Sequence, residues 1–235
     1  MSGRKQIVKA IIAAGGEGKR LGTTLPKQFL RIAGKTVLEN AIIPFQEIDE
    51  ISEIIVVLPR RYLKRYFSAI TGKYGKVACV VPGGKMRFES VENGIKAAGD
   101  ASIYLIHDGV RPLVSRELIK KVLAETKRCG AAIAAIKVND TVKEVDRKRF
   151  ILKTLKRDKL YLAQTPQGFR ADVLGQIMKT ASKEKREATD ESSLAERLGF
   201  KVSVVEGEGT NLKVTSLSDL HIAELFMRSR ERKMP

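Results

Sequence analysis

The chain has 235 residues, 43% hydrophobic and 30% charged, an ordinary globular balance that excludes large-scale disorder. Its 44 Lys and Arg against 27 Asp and Glu give a formal net charge of +17, which attracts anions, but the basic residues are scattered and only 6% of the chain is aromatic, so solvated surface charge is expected rather than a nucleic-acid platform. Two cysteines, Cys79 and Cys129, exclude a disulfide framework or a cysteine metal site, and with no apolar run near the roughly 20 residues that cross a bilayer and no leader-like start, a cytoplasmic location without membrane contact is expected.

The first predicted element is a buried strand at residues 7–12. It opens into Ala13-Ala14-Gly15-Gly16-Glu17-Gly18-Lys19-Arg20, and Pro26-Lys27-Gln28 follows. A loop so rich in glycine can lay backbone N–H groups against phosphates, while Arg20 and Lys27 supply the full positive charges that a transferring phosphoryl or nucleotidyl group needs in its transition state. Two better-known phosphate loops are excluded. A P-loop needs G-x-x-x-x-G-K-[ST], but Arg20 follows Gly18-Lys19 and Ala13 stands where the first glycine belongs. The dinucleotide fingerprint fails because its third small position falls on Leu21 and no helical run precedes Pro26.

Further along, strands at 53–58, 77–81, 103–106 and 131–138 alternate with helices at 36–47, 60–71, 87–98 and 116–129. Thr36-x-x-Glu39 is a capping-box pattern, and Ser115 is a candidate cap for the helix that follows it. Such alternation predicts a mostly parallel sheet covered on both faces, with ligands beyond the carboxyl ends of the strands. The glycine loop and the segments 82–87 and 107–112 are expected to meet on that edge. Between 139 and 161 the pattern breaks into two short strands, 141–145 and 149–155, joined by a polar turn. Residues 141–160 hold eight basic and three acidic side chains. A two-stranded hairpin is marginal alone, so it must pack either on its own domain or on a second subunit. Helices at 170–181 and 191–198, a strand at 201–205, a short strand at 212–214 and a terminal helix capped at Ser216 complete the expected order. Helix capping is the expected role of Asp190 and Glu191, and a structural one that of His107.

Eight segments then occur in order: the glycine loop, Pro26-Lys27-Gln28, Pro82-Gly83-Gly84-Lys85-Met86-Arg87-Phe88-Glu89-Ser90, His107-Asp108-Gly109-Val110-Arg111-Pro112, Asp140-Thr141, Thr165-Pro166-Gln167, Thr189-Asp190-Glu191 and Asn211-Leu212-Lys213-Val214-Thr215. Together they resemble the motif set of the 2-C-methyl-D-erythritol 4-phosphate cytidylyltransferases, over about residues 6 to 225. The resemblance implies an α/β fold, a Rossmann-like three-layer sandwich of nucleotidyltransferase type with a mostly parallel sheet and a protruding β-hairpin arm. It implies one domain over 1–235, residues 139–160 forming an arm for homodimerisation. The implied reaction joins CTP to methylerythritol 4-phosphate and releases pyrophosphate, in the non-mevalonate route to isoprenoids.

The resemblance also assigns residues. Ala13, Ala14, Gly15, Gly16 and Gly18 line the nucleotide, while Gly84, Lys85 and Ser90 stand at positions that fix cytosine and ribose. Lys85 departs from the acidic or small residue common there, and Ser90 and Arg87 have equally plain readings as a helix start and a loop anchor. Arg20 and Lys27 hold the α-phosphate; Arg157 and Lys213 complete the catalytic set. Asp108, with Gly109 beside it, faces nucleotide, acceptor and a Mg2+ held mainly by phosphates, since Mg2+ takes only one or two protein carboxylates in such sites. Arg111, Thr141, Arg157, Thr165 and Lys213 suit a phosphomonoester dianion, arginine offering a two-pronged grip. Because Thr141 and Arg157 flank the arm, they are candidates to complete the other subunit's site. A ribitol 5-phosphate cytidylyltransferase shares most of these elements and is the nearest alternative; a nucleic-acid-binding protein is the alternative of another class.

Overall fold

A computed structural model describes residues 6–17, 25–184 and 190–231. In chain order its strands are β1 (Val8–Ala13), β2 (Arg31–Ile32), β3 (Lys35–Thr36), β4 (Ile51–Leu58), β5 (Val77–Pro82), β6 (Ile103–Asp108), β7 (Ala131–Lys137), β8 (Lys143–Val145), β9 (Ile151–Thr154), β10 (Tyr161–Arg170) and β11 (Ser203–Glu206). The helices are α1 (Val37–Gln46), α2 (Leu63–Thr71), α3 (Arg87–Ala98), α4 (Arg116–Cys129), α5 (Ala171–Glu184), α6 (Glu191–Arg197) and α7 (Leu217–Glu231). Seven strands form one sheet in the order β11-β7-β10-β6-β1-β4-β5. Neighbours are parallel except β10, which runs antiparallel to both β6 and β7.

Alternation along each central strand feeds two cores, which is why these strands read as unbroken apolar runs. Ala10, Ile12, Ile54, Val56, Ile103 and Leu105 pack on one face with Leu38, Ile42 and Phe45 of α1 and with Leu118, Ile119 and Val122 of α4. Ile11, Ile55, Val57, Tyr104 and Ile106 pack on the other against Val91 of α3, Ile177 of α5 and Leu194 of α6. This gives a three-layer sandwich. α1 begins as its sequence dictates: the Thr36 hydroxyl accepts from Glu39 N–H at 3.1 Å, and the Glu39 carboxylate accepts from Thr36 N–H at 2.7 Å.

Three expectations need correction. Residues 161–170 form the ten-residue strand β10 where none was expected, because Pro166 and a register jump between Ala163 and Gln167 disguise it. Residues 212–214 are not a strand; they run extended, tied to the end of β6 through Val214 N–H donating to Val110 O at 2.9 Å. The segment expected as one helix over 60–71 begins with a 3-10 turn, Arg60–Tyr62, ahead of α2.

The hairpin is present as a separate two-stranded sheet of β8 and β9, every residue of which is exposed. Its turn is closed by Asp146, whose Oδ1 accepts from the N–H groups of Lys148 and Phe150 at 2.9 and 2.8 Å. The turn puts Arg149 at φ 68°.

Candidate active site

The loops after β1, β5 and β6 converge beyond the carboxyl edge of the sheet around a cavity of about 1100 Å³. β1 lies between β4 and β6 and has its end pinned from both sides: Ala14 N–H donates to Val57 O and Gly109 N–H donates to Ala13 O, each at 2.9 Å. The glycine loop is then braced from within. Gln28, buried, donates through Nε2 to the carbonyls of Ala14 and Gly16, both at 2.8 Å. Gln28 belongs to the 3-10 turn Lys27–Phe29, whose Phe29 ring stacks on Tyr66 at 4.0 Å between centroids. That anchorage presents the Lys27 side chain to the cavity.

Close backbone contact fixes the floor. A Cβ on Gly15 would lie 2.8 Å from Ser90 Oγ and 3.1 Å from Gly83 Cα, and one on Gly83 would lie 2.9 Å from Gly15 Cα. Only glycine lets the two loops meet so closely. Ser90 accepts from Gly84 N–H at 3.1 Å, and Glu89 Oε2 accepts from Lys85 N–H at 2.6 Å. Ser90 therefore shapes the start of α3 as well as lining the cavity, and Lys85 lines it near an exposed rim.

At the end of β6 sits a buried ionic cluster. Asp108 Oδ2 meets Lys213 Nζ at 2.9 Å and Arg111 Nε at 3.5 Å; its Oδ1 meets Arg87 Nε at 3.3 Å. Burial alone would raise this carboxyl, but Arg87, Lys213 and Arg111 hold it well below the usual carboxylate range. Arg87 in turn donates through Nη1 to both oxygens of the buried Glu191, at 2.8 and 2.7 Å. Burial raises the Glu191 carboxyl, and the Arg87 charge opposes it. The cluster sets three cations, Arg87, Arg111 and Lys213, against two carboxylates, Asp108 and Glu191.

Beneath Asp108 lies His107. Thr165 Oγ1 accepts from Asp108 N–H at 3.1 Å and lies 2.9 Å from His107 Nδ1, while His107 Nε2 lies 3.2 Å from Arg111 O. This pattern assigns the ring proton to Nε2 and the hydroxyl proton to the bond to Nδ1. Burial pushes the imidazole down to about 4 despite the nearby Asp108. His107 is thus a neutral brace, consistent with its structural reading.

Among the residues singled out in the sequence, Ala13, Ala14, Gly15, Gly16 and Lys27 line the cavity, as do Gly84, Lys85, Ser90, Asp108 and Lys213. Gly109, Arg111 and Thr165 do not line it; they are buried behind Asp108, with Arg111 Nη1 donating to Asn211 O at 2.7 Å. Thr141 and Arg157 are exposed near the hairpin and do not line the cavity of their own chain, and Arg157 Nη1 donates to Asn139 O. Gly18 and Arg20 lie outside the described residues. Glu191, expected as a helix cap, is instead the buried partner of Arg87; Asp190 is the cap, accepting from Ser193 N–H at 2.9 Å. Sequence reasoning missed Gln28 and Arg60, which lines the cavity after β4. Pro-Lys-Gln marked the place of Gln28 but carried no signal of its burial.

The model of the 2-C-methyl-D-erythritol 4-phosphate cytidylyltransferase family matches residues 8–229. The chain is similar to a protein of that name from Syntrophus aciditrophicus, 40% identical over 98% of this chain and 100% of the relative. It is also similar to one from Caldanaerobacter subterraneus, 41% identical over 94% of this chain and 99% of the relative. Among solved structures, 4-diphosphocytidyl-2C-methyl-D-erythritol synthase from Anaerococcus prevotii superposes with a TM-score of 0.84 at 32% identity, covering 96% of this chain and 100% of that one. The corresponding cytidylyltransferase from Thermus thermophilus gives 0.77 at 32%, covering 95% and 99%.

Proposed function

This chain belongs to the 2-C-methyl-D-erythritol 4-phosphate cytidylyltransferase family, and we propose that the cavity at the end of its sheet is where CTP and the acceptor phosphate meet. The reaction joins the cytidylyl group of CTP to 2-C-methyl-D-erythritol 4-phosphate and releases pyrophosphate. One observation carries the site assignment: the glycine loop, Lys27, Asp108 and Lys213 come from separate segments of the chain and line one cavity.

The chain's own residues suit an in-line displacement at the α-phosphorus. The glycine loop lets the nucleotide approach the backbone. Lys27, held by the Gln28 brace, neutralises charge growing on the non-bridging oxygens, and so does Arg20 on the strength of its motif. The attacking phosphate is already ionised, so no general base is needed, in keeping with a neutral, buried His107. Lys213 and the cluster behind it meet the acceptor phosphate.

The donor set fits a divalent cation held mainly by the triphosphate, which needs only one or two protein carboxylates, and Asp108 offers one at the cavity. When bound, Mg2+ supplies further charge neutralisation at the phosphates. The exposed apolar residues of the hairpin and its flank, among them Phe150, Ile151, Leu152 and Leu162, support a homodimer in which the arm lies on the partner. Thr141 and Arg157, which do not line their own cavity, then complete the partner's site. No helix among the described residues is long and apolar enough to cross a membrane.

The test is pyrophosphate release from CTP and Mg2+ with each acceptor in turn. Turnover with methylerythritol 4-phosphate is expected; turnover with ribitol 5-phosphate alone would refute the acceptor assignment.

A further inference from the structure

Asp108 carries three cations, but they are not held alike. Arg111 has a second partner in Asn211 O at 2.7 Å and is buried. Arg87 has its second partner in Glu191, whose two oxygens lie 2.8 and 2.7 Å from Nη1, shorter than its 3.3 Å approach to Asp108. Among the described residues Lys213 has only Asp108 as an ion-pair partner, at 2.9 Å, and its side chain is 41% exposed. A singly held, half-exposed ammonium on a flexible stem is the cation that can leave; a guanidinium gripped by a buried carboxylate is not. Glu191 itself is 1% exposed and does not line the cavity.

Given that a substrate phosphate enters this end of the cavity, as proposed above, we propose that Glu191 is a positioning residue: its two-oxygen grip on Arg87 keeps a permanent counter-ion on Asp108 and leaves Lys213 as the cation that passes to the incoming phosphate. Without that grip Arg87, which lines the cavity, becomes a second mobile cation. It would follow the phosphate and draw it away from the reacting geometry, while Lys213 would stay on Asp108. The phosphate would be bound as well as before or better, but reacted more slowly, because misplacing a reacting group costs rate rather than binding.

Kinetics of variants of the active parent test this. Glu191→Gln keeps the shape and removes the charge. It is expected to lower kcat about tenfold with the acceptor KM unchanged or reduced, a split that general loosening of the fold would not give. Arg87→Met should lower kcat comparably, and the double variant by no more than about twofold beyond either, since Glu191 acts only through Arg87. Losses that multiply in the double variant, or a kcat for Glu191→Gln within about twofold of the parent, overturn the assignment. Should Glu191→Gln lack the parent's circular-dichroism spectrum, the double variant carries the test, because it removes both buried charges together; parent-like kcat there overturns it. A parent that releases no pyrophosphate from CTP and methylerythritol 4-phosphate would instead overturn the functional reading.

Discussion

At the scale of single residues, the site separates groups that act by charge from groups that act by fit. Under the proposed function Lys27 and Arg20 belong to the first kind. Lys27→Ala and Arg20→Ala should each lower kcat by about 10² to 10³, roughly 3 to 4 kcal/mol of transition-state stabilisation, with little change in thermal stability. Stopped assays of pyrophosphate release beside melting curves check both halves; a Lys27→Ala enzyme of parental kcat would remove Lys27 from the chemistry. Gly83 is of the second kind. A methyl group there meets Gly15 Cα at 2.9 Å, backbone against backbone, so the loops must part. Gly83→Ala should therefore raise the KM for CTP about tenfold or more while the sheet beneath stays folded, as titration of nucleotide against the variant will show. Residue identity marked Lys27 as a candidate, and the structure brings it to the cavity. Identity did not announce Gln28 or the Arg87–Glu191 pair, since a polar side chain looks the same in a sequence whether it is buried or exposed.

At the scale of elements, legibility followed local physics. β1, β4, β6 and β7 were readable because burial on both faces demands continuous apolar runs, the edge strand β5 because its run is apolar though only partly buried, and α1 because Thr36 and Glu39 spell out its cap. β10 was not, because a proline and a register jump break the pattern in mid-strand, and only its neighbours β6 and β7 make it a strand. The cap of α1 can be tested through its proton linkage. Burial would raise the Glu39 carboxyl, but hydrogen bonds from Lys73 and Thr36 bring it down to about 2 from an ordinary 4.5. A carboxyl lowered on folding stabilises fully above its unfolded value and loses that contribution as pH falls through the folded one. Glu39→Gln should cost about 1 kcal/mol at pH 7, a cost that shrinks below pH 4.5 and is gone only below pH 2. Urea unfolding of both proteins across that range measures it; a difference independent of pH would assign the cost to packing.

At the scale of the whole molecule, the cavity at the sheet edge is lined by most of the described residues that the proposed function uses, and Thr141 and Arg157, beside the hairpin, are not among them. Arg157 holds the neck of the arm through Asn139 O and lies outside its own cavity, so a chain acting alone lacks a guanidinium that its motif assigns to the acceptor phosphate. Arg157→Ala should chiefly raise the acceptor KM. Whether the residue serves its own subunit or the partner is decided by mixing. In a two-fold dimer each heterodimer of Lys27→Ala with Arg157→Ala has one body carrying both defects and one carrying neither, provided the arm crosses over. Equal mixing makes half the dimers mixed, so about a quarter of parental activity should return at low acceptor concentration, where each variant alone is nearly inactive. If Arg157 works within its own chain, every body in the mixture is defective and nothing returns. The recovered activity must also grow with the time allowed for subunits to exchange, whereas contaminating unmutated enzyme would be active from the moment of mixing.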